Sequence, residues 1–198
     1  MKNKVNILQN LNNLKHIKRT GPNLFAGISS GELESIAEHT FMVSSIVMLF
    51  AEEAGEVDLG NMLQYALVHD WGESIIGDMP SGSRSYREYF EGDIRQIHKK
   101  AEHKAKETLL QDGSIELPDL STLEKELLQL ADTISIILEL IDLKQKGHGH
   151  KWVRQMFDVQ IKKLKDFSFN FIAPITKELE NMFIEGMSNK YLTKASLK

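Results

Sequence analysis

The stretch Tyr65–Pro80, YALVHDWGESIIGDMP, constrains the fold more than any other part of the chain. Ala66, Leu67, Val68, Ile75 and Ile76 are the residues of a buried helix, yet His69, Asp70, Glu73 and Asp78 lie among them. Charged groups in such company are costly to bury unless they are paired or coordinated. Glu73 follows His69 by four residues and Asp70 by three, so on a helix it projects to the same side one turn later. The adjacent His69 and Asp70 lie about 100° apart on a helix, so both serve one centre only if a metal or an active-site floor lies at their shared edge. Gly72 and Gly77 loosen the backbone, and Pro80 stops further helix. Taken alone, the stretch also fits a helix end that carries solvated acids.

The rest of the chain reads as all-α. Val5, Leu8, Leu11 and Leu14, flanked by Ile7 and Ile17, predict an amphipathic helix over residues 3–18. Arg19-Thr20-Gly21-Pro22 breaks it, and a Gly-containing loop is expected to about Ser35. Ser35-Ile36-Ala37-Glu38 has the form of a capping box. The helix it starts runs to Gly55, with His39 in its first turn. It is apolar nearly all round, which places it at the centre of a bundle. Asp58 caps a third helix from Leu59 to about Trp71, which delivers His69 and Asp70 at its end. The polar segment Met79–Arg87 reads as a loop beside the site. A long charged helix, roughly Tyr86 to Gln111, follows and stops at Asp112-Gly113; its charges, Glu102 among them, describe a solvated outer face. Ser121-Thr122-Leu123-Glu124 opens another helix to about Lys146, with Asp132 inside LLQLADTISIILEL. Helices over Trp152–Leu164 and Pro174–Gly186 end the chain. Phe167, Phe169 and Phe171 alternate as a strand would, but an isolated strand has no partner.

At 198 residues the chain suits one domain with a real core. Lys+Arg 24 against Asp+Glu 28, a net charge of -4, leaves no global basic field for nucleic acid. With no cysteine, disulfides and thiolate metal sites are excluded, so any metal must use His, Asp, Glu and water. The N-terminus MKNKVNILQNLNNLKHIKR has no apolar signal region and no apolar run reaches membrane-spanning length. A soluble cytoplasmic protein without a membrane partner is expected.

His39, His69-Asp70 and Asp132 fall on three predicted helices. Two imidazoles and two carboxylates form a donor set suited to Mn²⁺, Co²⁺, Fe²⁺, Ni²⁺ or Zn²⁺, and facing helices are a natural frame for it. An unpaired Asp132 in its apolar run would be penalised by desolvation; the alternative is a place on a polar stripe with Gln129 and Ser135. Gly147-His148-Gly149-His150 reads as a loop at a helix junction. His98 and His103 are five apart and share no face, and His16 reads as a surface residue.

The ordered set Glu34-Ser35-Ile36-Ala37-Glu38-His39, His69-Asp70-x-x-Glu73, Gly77-Asp78-x-Pro80 and Ala131-Asp132, with an upstream Lys18-Arg19, resembles the 5′-deoxynucleotidase branch of the HD-domain metal-dependent phosphohydrolases. The match runs from about Leu14 to Glu139. The resemblance implies a single-domain HD-type helical bundle over residues 1–198, with a metal-site core at about 14–139 and C-terminal helices at 150–190 packing on it. By the same resemblance, His39, His69, Asp70 and Asp132 bind one divalent cation, Glu73 and Asp78 act around the attacking water and phosphate, and Arg19 binds the substrate's phosphate. The implied reaction is hydrolysis of (deoxy)nucleoside 5′-monophosphates to nucleoside and phosphate, and relatives are often homodimers. One departure concerns specificity: relatives often place a Trp just after the arginine or a few residues later, where this chain has Thr20-Gly21-Pro22. Other phosphate esters (a nucleoside triphosphate, a cyclic dinucleotide or a modified nucleotide) are alternative substrates. A helical binding protein stapled by a structural metal is a further alternative, against which stand the surplus Glu73, Asp78 and Arg19.

Overall fold

The computed structural model describes residues 2–79 and 94–185. Its backbone divides into two compact units, Met1–Ser135 and Ile136–Lys198. The first unit holds helices α1 (Lys2–Asn13), α2 (Thr20–Ala26), α3 (Ile36–Ala54), α4 (Leu59–Val68), α5 (Glu73–Ile76) and α6 (Ile94–Gly113) and a 3₁₀ turn at Ser30–Glu32. It also holds the first part of α7 (Thr122–Gln145), whose remainder joins α8 (Lys151–Lys165) and α9 (Ile172–Glu185) in the second unit. Among the described residues no strand forms; a single isolated bridge joins Lys18 to Ser35. No described helix is long and apolar enough to cross a membrane.

Local chemistry explains the starts of α3, α4 and α7. Ser35 and Glu38 form the expected reciprocal capping box, and Ser121 and Glu124 form a second one. The Asp58 side chain accepts from Asn61 N, so α4 begins where its cap predicts. The expected stop of the charged helix at Asp112-Gly113 is met by the end of α6 at Gly113. The expected loop at 79–87, the first residues of the charged helix and the expected limit of the last helix at Gly186 fall largely or wholly outside the described residues.

Several boundaries differ from the periodicity, each for a tertiary reason. α1 ends at Asn13 and not near residue 18. Leu14, Lys15 and His16 bond back only three residues, and the chain then pairs elsewhere: Arg19 N donates to Glu34 O, Ile36 N to Ile17 O and Ala37 N to Leu14 O. This pairing lays Arg19 beside the start of α3. The predicted loop from 19 to 35 contains α2, which tolerates Pro22 because the missing N–H falls in the unbonded first turn. α3 buries Ile36, Val43, Ile46 and Val47 on one side, but Phe41 is 70% exposed on the other, with Met48 and Leu49 on the same stripe. α3 is therefore not buried all round, because composition alone does not say which faces find a neighbour. In the second unit, Phe157 stacks on Phe183 at 3.8 Å, and Lys144 donates to the Phe183 carbonyl. Phe169 and Phe171 stack on one another at 5.2 Å in a turn.

The site is set by the break after α4. α4 stops at Val68, His69 caps it, and Trp71 N to Val68 O and Glu73 N to Asp70 O close tight turns before α5 starts. The HD dipeptide thus sits on a turn and not inside a helix. α6 presses on this turn at Gly72, where a Cβ would lie 2.3 Å from the Glu102 carbonyl oxygen. Only a residue with no side chain fits there.

Gly72→Ala is expected to destabilise the protein by about 1–3 kcal/mol, the usual effect of overpacking against backbone. Gly149→Ala, with nothing within 4 Å of the added carbon, serves as the control and should leave the thermal midpoint unchanged. Equal midpoints for the two variants would refute the contact.

Candidate metal centre

His39 enters from the first turn of α3 and is 1% exposed. Its Nε2 lies 3.2 Å from Asp132 Oδ1 on α7 and 3.7 Å from Asp70 Oδ2. Its Nδ1 is 3.0 Å from Ser135 Oγ, one turn along α7 from Asp132. His69 donates from Nδ1 to the Ala66 carbonyl at 2.6 Å, which directs its Nε2 to Asp70 Oδ2 at 3.0 Å. The two rings lie 5.4 Å apart, centre to centre. Both imidazoles are therefore held through Nδ1 and turn Nε2 to Asp70, with His39 Nε2 also facing Asp132, and a second hydrogen bond at the far nitrogen is how metal-ligating histidines are oriented.

Donor atoms from His39, His69 and Asp70 all lie within 4.8 Å of one another. Asp132 reaches the group through His39, with its side chain 37% exposed at the open edge. The buried Nε2 of His69 finds no hydrogen-bond partner although it faces an anion. A divalent cation would satisfy this donor set, and imidazole with carboxylate suits a transition metal.

Ionisation follows from crowding. Burial and the Arg19 charge push the His39 imidazole below its ordinary pKa, against Asp132 and Asp70. Burial also works against the charged form of His69, but the Asp70 charge prevails and its pKa is raised. Burial would raise the Asp70 carboxyl, yet His69, His39 and Arg19 hold it well below the usual range. Asp132 shows the same contest and is also lowered, by His39 and Arg19. For Glu73 the rescue is too weak: burial, then the charges of Asp70 and Asp78, outweigh Arg19 and push it up to about 9, and its Oε2 is buried without a hydrogen bond.

Arg19 acts electrostatically on His39, Asp70, Glu73 and Asp132, so its charge is felt throughout the centre. Asp78 Oδ2 accepts from Thr20 N at 2.5 Å and from Thr20 Oγ1 at 2.9 Å, so the residue after the arginine anchors the loop after α5. The structure thus gathers His39, His69, Asp70, Asp132 and Glu73, with Asp78 and Arg19 acting on Glu73 through their charge. It adds others. Ser135, considered only as a polar-stripe neighbour, holds a histidine. Glu102, assigned to a solvated face, belongs instead to a second group with Asp70 and Glu73, all within 4.8 Å. Burial and the Asp70 charge raise its pKa. Nothing in the pattern of α6 marks this glutamate, because the surrounding charges hide it; Gly72 was the visible half of the contact.

Two outcomes test this geometry. Ser135→Ala should weaken divalent-metal binding about 10–100-fold, the usual cost of removing a group that orients a ligand, as read by titration against a competing chelator. Unchanged affinity would make the Ser135 contact incidental. Because Glu73 keeps its proton up to about pH 9 in the folded state against 4.5 ordinarily, its contribution to stability is full below about 4.5 and is lost as pH rises toward 9. Metal-free Glu73→Gln should therefore melt above metal-free wild type at pH 8, with the gap closing toward pH 4; a wild type that melts higher throughout would contradict the raised carboxyl.

The sequence profile of the HD domain matches residues 11–166. Over 150 residues the chain is 29% identical to the 5′-deoxynucleotidase HDDC2 of Dictyostelium discoideum, a match spanning 68% of this chain and 74% of that one. A conserved hypothetical protein from Pyrococcus furiosus, 26% identical, superposes with a TM-score of 0.65 over 89% of this chain and 99% of its own. An HD-domain phosphohydrolase from Listeria innocua, 20% identical, shares the fold with a TM-score of 0.60 over 96% of this chain and 88% of its own. With the profile spanning most of the chain and taking in His39, the His69-Asp70 pair and Asp132 in order, the chain belongs to the HD domain family.

Proposed function

We propose that the protein is a metal-dependent phosphomonoesterase that hydrolyses (deoxy)nucleoside 5′-monophosphates to nucleoside and phosphate. The observation that carries this reading is the buried, unpartnered carboxyl of Glu73 set beside the imidazole–carboxylate group but outside it, within the field of Arg19. A metal that only stapled the bundle would have no use for a spare buried acid and a nearby guanidinium. Similarity to a 5′-deoxynucleotidase supports the substrate class.

His39, His69, Asp70 and Asp132 would hold one divalent cation of the Mn²⁺, Co²⁺, Ni²⁺, Zn²⁺ or Fe²⁺ type. Such a cation lowers the pKa of bound water and neutralises phosphoryl oxygens. Arg19 offers the phosphate a planar fork of donors, which a lysine would not reproduce. Glu73 takes a proton from the attacking water. Its pKa, pushed up to about 9 by burial and by its anionic neighbours, falls once positive charge is placed among them, toward the range in which a general base works. Asp78, fixed by Thr20, positions or protonates the leaving 5′-oxygen. With Thr20 where relatives often carry a tryptophan, discrimination between ribose and deoxyribose is weak in this reading.

Metal-stripped protein supplied with Mn²⁺, Co²⁺ or Zn²⁺ should release phosphate from a panel of ribo- and deoxyribonucleoside monophosphates, and only with metal. Glu73→Gln should keep the metal and lose about 10²–10⁴ in turnover. Silence across the panel with metal demonstrably bound would refute the monophosphatase.

A further inference from the structure

α6 reaches the centre through two contacts. At Gly72 its backbone packs so closely that a Cβ would meet the Glu102 carbonyl, and one turn on Lys106 Nζ donates to the His69 carbonyl at 3.4 Å. These contacts hold Glu102 opposite Glu73, where its carboxylate, that of Glu73 and that of Asp70 all have an oxygen within 4.8 Å of one another. Two acids so close on rigid elements repel one another once both are ionised unless a donor lies between them. Glu73 Oε2 has no donor among the described residues.

Building on the phosphomonoesterase reading, we propose that Glu102 is a further catalytic residue: Glu73 and Glu102 together cradle the attacking water. A water that donates both hydrogens to oxygens about 2.8 Å away holds those oxygens about 4.4 Å apart, within the 4.8 Å limit the two glutamates meet. With both hydrogens engaged, the lone pairs of the water face away from the carboxylates. In the reaction the water oxygen bonds to phosphorus, and the bond from phosphorus to the 5′-oxygen breaks with its electron pair on that oxygen. One water proton passes to Glu73, and the other stays on the new phosphate, still held by Glu102. The leaving oxygen takes a proton from Asp78 or solvent. Glu102 thus orients the nucleophile while Glu73 deprotonates it, a division of labour worth rate because misplacement of a reacting atom by about 1 Å can cost about 10²-fold.

The test uses the full chain loaded with Mn²⁺, comparing wild type with Glu102→Gln and Glu102→Asp for metal content, thermal midpoint, kcat and KM on the best nucleoside monophosphate. The expected result for Glu102→Gln is full metal, a midpoint near wild type, KM within about twofold and kcat down about 10–100-fold, with Glu102→Asp recovering part of the loss. If Glu102→Gln fails to fold, the same split between kcat and KM is read from Glu102→Asp. An active wild type with kcat unchanged in both variants overturns the role of Glu102 alone. A second metal equivalent per chain that disappears in Glu102→Gln overturns it differently, by giving Glu102 to a cation. A wild type inactive on the whole nucleotide panel with metal bound overturns the function and this role together.

Discussion

Crowding of negative charge around two buried imidazoles is the constraint on which the rest of the first unit depends. Asp70 and Asp132 converge on His39 and His69, Glu73 and Glu102 gather beside Asp70, and the His69 Nε2 and Glu73 Oε2 atoms are shut off from water. In a low-dielectric setting each carboxylate must find a cation, a donor or a proton. The pKa directions record how each does so. Asp70 and Asp132 lean on the imidazoles and Arg19 and stay ionised, whereas Glu73, with mostly anionic neighbours, keeps its proton. A centre arranged in this way has an electrostatic demand for positive charge, which is the physical basis for placing a cation there.

The backbone devices around the centre exist to hold that crowding in place. The Ser35 box fixes where α3 begins and so where His39 points. Pairing of residues 17–19 with 34–36 carries Arg19 to the same end of α3, and the two Thr20 hydrogen bonds tie that strand-like segment to Asp78. His69 and Asp70 lie in the tight turns through 68–73 that follow α4, and each presents a donor atom to the same point as His39. Gly72 makes the last approach possible by letting the α6 backbone touch the turn directly.

Much of the centre was legible before any coordinate. His69, Asp70 and Glu73 stand out because they interrupt an apolar run, and Asp132 does so for the same reason; buried charge is conspicuous wherever its surroundings are apolar. The helices beginning at Ser35, Asp58 and Ser121 were legible because caps are local chemistry, written within four residues. Glu102 was not legible, since one acid among many on a polar helix carries no mark of its neighbours. The early end of α1, the helix at Thr20–Ala26 and the exposed face of α3 were hidden for a related reason: each depends on what packs against the segment, which periodicity does not encode.

The sequence by itself determined the all-α class, the positions of three helix caps, the absence of sulfur ligands and which imidazole and carboxylate residues are the candidate donors. These follow from composition and from interactions between residues close in the chain. Tertiary structure alone decided that Ser135 would hold the His39 ring, that Thr20 would hold Asp78, and that Glu102 would join Glu73 across the bare backbone of Gly72. Those contacts join residues separated by some thirty to ninety-six positions in the chain. Their energies depend on distances of a few ångströms that only the packed fold sets.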